Sequence, residues 1–150
     1  MKTRLRAKLA VAALVAILAG ASFALFAPSG PAVAFSSGGL FLDVQVESPA
    51  LLVARGAAVD VPLEITCNAT GSVEVFVTVT QRSRSGVAAG SGFASFGCTG
   101  AGQDVLVRVT ASPTGQTFKR GAAVVEAEIF GCRPGVCGSE TDSEVIELQK

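Results

Sequence analysis

Histidine, tryptophan and tyrosine are absent from this 150-residue chain, and methionine occurs once. Without histidine the sequence lacks the commonest general base near neutral pH and the commonest metal ligand. Carboxylates remain for proton transfer. Glu64, Glu74, Glu126 and Glu128 alternate with apolar neighbours, which is the pattern of a solvated outer face rather than of a facing catalytic pair. No enzyme is expected from this inventory, and no catalytic, cofactor-binding or metal-ligating set stands out.

Neither sign of charge is in excess, with 12 Lys and Arg against 12 Asp and Glu, but the two are unevenly placed. Lys2, Arg4, Arg6 and Lys8 precede an almost wholly apolar run, Leu9 to Phe26, and Ala32-Val33-Ala34 supplies the small-x-small pattern of an export peptidase site. Residues 1–34 therefore read as a helical signal peptide, and the protein as secreted. A retained anchor is the rival reading, because the 18 residues of the run would reach about 27 Å, close to the hydrocarbon thickness of a bilayer. Ser22, Pro28 and Pro31 favour cleavage, and a membrane partner is expected only if the segment is retained. Cleavage removes four basic residues, leaving 8 against 12 acids, a net charge of −4 on residues 35–150. Nucleic acid, which calls for a basic stripe, is excluded as a partner on that ground. The remaining 116 residues suit one domain.

Four cysteines exported to an oxidising space read as two disulfides, with three connectivities open. Cys132 and Cys137 flank Arg133-Pro134-Gly135-Val136, a turn able to bring them together, which leaves Cys67 for Cys98. Loop entropy assigns roughly 2 kcal/mol to the short closure and roughly 3 to 4 kcal/mol to the long one. A four-thiolate zinc site would need two short paired spacings, and only one pair is close.

The mature chain alternates with a period of two. Val59, Val61, Leu63, Ile65 and Cys67 share one face of a strand, with Asp60, Pro62, Glu64 and Thr66 on the other. Val73 to Val79, Val105 to Val109, Val125 to Ile129, Leu42 to Val46 and Ile146 to Leu148 repeat the pattern. Val87 to Cys98 is less regular, since Gly90, Gly92 and Gly97 point to an edge, a bulge or a bend between sheets. Pro62 cannot donate to a ladder, so its strand is expected to be exposed or bulged there. Turn residues at 68–72, 99–102 and 112–115 divide the strands. The expected fold is all-β, an immunoglobulin-like two-sheet antiparallel sandwich of about seven strands.

Gly56 to Cys67 and Phe118 to Ala127, together with the signal segment, resemble small exported immunoglobulin-like domains of high-GC Gram-positive bacteria. The Ala, Val, Gly and Arg content is similar to that of such sources, and the resemblance implies a sandwich without assigning an activity. Two features depart from immunoglobulin domains proper: there is no tryptophan, and the 31-residue separation of Cys67 and Cys98 is short for their inter-sheet bridge. A weaker resemblance, in size, class and the late Cys132 to Cys137 pair, is to the enediyne apoproteins. The other cysteine pair does not match that family, so no ligand pocket carries over.

Several local features have a functional reading and a plainer one. Glu140, Asp142 and Glu144 place oxygen ligands at alternate positions, but without the spacing of a calcium loop they read as the polar start of a strand. Arg82-Ser83-Arg84 with Lys119-Arg120 could form a basic patch for an anionic glycan or cell-wall polymer; solubility charges at strand ends explain them equally well. Gly90-Ser91-Gly92 lacks the strand-to-helix setting of a phosphate loop, and Asn68-Ala69-Thr70, a glycosylation sequon, reads as a turn. Arg133 and Pro134, inside the short disulfide loop, form a candidate interaction loop of the kind a protease inhibitor projects, although a proline after the basic residue disfavours trypsin-like targets. Phe76 and Phe130 fall on the polar phase of their strands and form a candidate exposed aromatic patch. The function expected is a secreted, non-enzymatic binding or structural module with an unknown extracellular or cell-wall partner. The alternative is an inhibitor, favoured by a projecting Arg133, or a small-ligand carrier, favoured by a cleft lined by Phe76, Phe93, Phe96 or Phe130.

Overall fold

The computed structural model describes residues 39–84 and 86–150. The signal segment and the cleavage expected after Ala34 lie outside the described residues. Eight strands follow in order: β1 (Leu42–Val46), β2 (Ala50–Val53), β3 (Ala58–Cys67), β4 (Ser72–Ser83), β5 (Gly86–Gly97), β6 (Gln103–Ala111), β7 (Gly121–Arg133) and β8 (Val136–Gln149). The all-β class holds, and the expected division into two separate sheets is corrected. Seven strands close into a ring in the order β3, β6, β5, β4, β7, β8, β2 and back to β3, with β1 beside β2 on the same edge of β3.

Two short junctions close the ring. On one side, β5 leaves β4, along which it pairs over its whole length, to meet β6 at Gly90 opposite Ala111 and Ser91 opposite Thr110. Glycine is what permits this approach, because a Cβ on Gly90 or Gly92 would overlap the carbonyl of Thr110 or Arg108. The irregular glycine run thus marks the junction of β5 with β6 that closes the ring. On the other side, β2 is antiparallel to β3 and parallel to β8, where Ala50 lies opposite Leu148.

The inner phases of β3, β4, β6 and β7, with the last inner residues of β8, fill the core. Val59, Val61, Leu63, Ile65, Val73, Val75, Val77, Val79, Val107, Val109, Val125, Ala127, Ile129, Ile146 and Leu148 are all buried in one cluster. Pro62 sits mid-strand and half-buried, at the gap between the β1 pairing, which ends at Leu63, and the β2 pairing, which begins at Asp60. Its carbonyl accepts from the Glu47 N–H at 3.0 Å, so its donor-less side faces the break between β1 and β2 rather than the β6 ladder. Asp60 lies on the outer phase yet is only 7 % exposed, because Arg108, opposite it on β6, covers it with bonds of 2.7 and 2.8 Å. Those hydrogen bonds hold the Asp60 carboxyl below the ordinary aspartate range. Desolvation opposes them, and the guanidinium charge assists them.

Candidate functional site

β4 is flanked by β5 and β7, so side chains from all three strands share one outer face. Phe76 lies directly opposite Phe93, and their ring centroids are 5.1 Å apart with planes tilted by 43°. On the other flank Phe76 faces Glu128, and Phe130 faces Glu74, which sets Phe130 diagonally beside Phe76. The three rings are 48 %, 53 % and 43 % exposed in the order Phe76, Phe93, Phe130. A strand that alternates this regularly has no packing use for phenylalanine on its wet side. Phe130 is two residues from Cys132, whose disulfide to Cys137 spans the same hairpin with a Cα separation of 4.1 Å.

The loop closed by that disulfide does not project its arginine. Arg133 is half-buried, and its Nη1 donates to the Gly39 carbonyl at 3.2 Å. Pro134 and Gly135 make the turn, with Gly135 at a φ of 83° that its lack of a side chain allows. Arg133 thus folds back, while Pro134, Gly135 and Val136 stay exposed at the tip of the hairpin. The carrier's cleft is missing as well, since Phe76, Phe93 and Phe130 stand on a sheet face. The two depressions at the ends of the ring are lined by other residues.

Cys67 and Cys98 are joined with a Cα separation of 5.5 Å, tying the end of β3 to the residue after β5. Among the described residues no cysteine is free. Asn68, the first residue of the sequon, uses its side chain structurally: Oδ1 accepts from the Phe41 N–H at 2.7 Å and Nδ2 donates to the Gly39 carbonyl at 3.0 Å. Glu140, Asp142 and Glu144 lie opposite Ile129, Ala127 and Val125, on the inner phase of β8. There Asp142 accepts the Val46 N–H at 2.8 Å, capping a donor on the outer edge of β1. Among the described residues no cluster of His, Cys, Asp or Glu is arranged to hold a metal ion.

Two residues with structural roles escaped the sequence reading. Gln81, only 3 % exposed, accepts the Lys119 N–H and donates to the Lys119 carbonyl, both at 2.8 Å. Gly56 approaches Phe118 so closely that a Cβ would overlap the Phe118 carbonyl, and the Phe118 N–H donates to the Gly56 carbonyl at 2.9 Å. An inward-phase glutamine in a valine strand was the available signal for the first. Nothing local marked the second.

No family model and no curated protein matches the chain. Among solved structures it is similar to AggA, the major subunit of aggregative adherence fimbriae type I from Escherichia coli, with a TM-score of 0.39 and 11 % identity, over 73 % of this chain and 94 % of that one.

Proposed function

We propose that the protein is an exported, non-enzymatic binding module whose partner surface is the outer face of β5, β4 and β7. The observation that carries this reading is the group of three exposed rings, Phe76, Phe93 and Phe130, gathered on one face from three strands. Single exposed hydrophobics are ordinary; a contiguous aromatic group interleaved with Glu74 and Glu128 is the composition of an interaction patch. Its complement is an apolar partner surface with cationic flanks. Export is supported by residues 1–34 as a sequence and by the two disulfides, which belong to an oxidising compartment. Two observations favour this reading over an inhibitor or a carrier: Arg133 bonds back to the Gly39 carbonyl, and Phe76, Phe93 and Phe130 stand on a sheet face rather than in a cleft.

The test is capture from the culture medium and cell wall of the source by the exported protein and by its Phe76→Ser, Phe93→Ser, Phe130→Ser triple variant. The exported protein should retain specific partners that the variant loses, at unchanged thermal stability. Identical captures by the two proteins would refute the assignment.

A further inference from the structure

Residues 35–150 carry eight cations, and their placement along the ring is lopsided. β2, β4, β6 and β8 finish at one end, where β3, β5 and β7 begin. Arg55, Arg82, Arg84, Lys119, Arg120 and Lys150 all lie at that end, and all are exposed. Arg108 lies towards the same end, where it pairs with Asp60, and Arg133, at the opposite end, donates to the Gly39 carbonyl. Of the carboxylates that register places towards the cationic end, Asp60 is already bound by Arg108, and Glu147 stands opposite Ala122. A domain of net negative charge thus concentrates its positive charge at one pole.

That pole is built, not merely decorated. Ala54, Arg55 and Gly56 run through three successive left-handed residues, with φ of 48°, 59° and 89°, which turn Arg55 outward. Gly56 is bonded to Phe118, whose side chain is 2 % exposed and anchors the 112–120 connection in the core. Gln81 clamps the backbone of Lys119 from β4, and the Gln116 side chain reaches Gly86 on the β4–β5 turn. These contacts bring connections distant in sequence around a depression of about 870 Å³. Its lining includes Leu52, Arg55, Phe118, Lys119, Arg120 and Lys150, with no aspartate or glutamate.

We propose that this end binds a polyanionic chain, a polymer of repeating phosphate or carboxylate groups. Cations spread over three connections and the last residue suit successive charges along a flexible chain better than one compact anion. Guanidinium groups recognise phosphate and carboxylate alike through paired N–H donors. The acidic remainder of the domain repels such a polymer and so orients it towards this pole. The proposal does not rest on the aromatic face.

The experiment measures binding of inorganic polyphosphate and of polygalacturonate to the exported protein by titration calorimetry. The two polymers distinguish a phosphate source from a carboxylate one. At about 50 mM salt at least one should bind, and affinity should fall by about tenfold or more at about 500 mM. The Arg55→Gln, Lys119→Gln, Arg120→Gln variant should bind about tenfold more weakly, and the charge-preserving Arg55→Lys, Lys119→Arg, Arg120→Lys variant within about threefold of the parent. Should the glutamine variant fail to fold, Arg82→Gln with Arg84→Gln, at exposed positions at the end of β4, should still weaken binding about threefold. Arg133→Gln at the other end, and the triple phenylalanine variant, should leave polymer binding unchanged. The proposal is overturned if neither polymer binds, if the cation variants bind as the parent does, or if Arg133→Gln weakens binding as much. Salt-sensitive self-association without polymer binding would assign the pole to a second copy and overturn it equally.

Discussion

The two ends of the strand ring are closed by different chemistry. At one end Cys67–Cys98 and Cys132–Cys137 lock the β3, β5 and β7–β8 termini covalently, and Asn68 and Arg133 gather the incoming chain at Gly39. The opposite end has no disulfide. There Gly56 against Phe118, the buried Phe118 ring and the Gln81 clamp hold the connections that carry the cations. A disulfide acts largely by restricting the unfolded chain, whereas a core anchor and buried hydrogen bonds act in the folded state. Perturbing either end should therefore have separable local consequences.

The largest effect expected is from Phe118→Ala, which removes the anchor of the cationic end. It should cost roughly 3 to 5 kcal/mol in denaturant unfolding, with hydrogen exchange accelerated at 54–57 and 116–122 before 98–102. Replacing Cys67 and Cys98 together by Ala should cost roughly 3 to 4 kcal/mol, with exchange accelerated at 68–71 and 98–102 instead. If both changes loosened both ends alike, the contrast between them would be lost. The smallest effect belongs to Asp60→Asn, near the start of β3 and so towards the cationic end. The carboxyl titrates lower in the folded protein than its usual value of 3.8, so its contribution is complete above about pH 4. It disappears as pH falls through the lower folded value. The melting temperature of the parent should accordingly exceed that of the variant near neutral pH and converge towards it in acid.

What was legible in the sequence followed from local pattern. Period-two alternation located β3, β4, β6 and β7, and the same alternation exposed Phe76 and Phe130, because a phenylalanine out of phase is visible without a structure. The spacing around Arg133-Pro134-Gly135-Val136 was enough to bring Cys132 to Cys137. β2 was not legible: Ala50-Leu51-Leu52-Val53 does not alternate, and its role is to bridge β3 and β8. Ring closure was hidden for a related reason, since Gly90 and Gly92 mark a close approach without naming β6 as the neighbour. Phe93 joined the aromatic face only through its register with Phe76. The cationic pole draws on three connections and the last residue, spread from Arg55 to Lys150, a convergence that topology creates and local sequence does not display.

The central claim, that the aromatic face carries partner binding, is tested most directly by hydroxyl-radical footprinting of the protein, alone and mixed with the wall fraction of its source. Phe76, Phe93 and Phe130 should be protected from oxidation in the mixture, while Leu106, exposed on β6, and Pro134 at the disulfide-closed turn should react as in the free protein. Protection at Pro134 with the three rings still fully reactive would contradict the account.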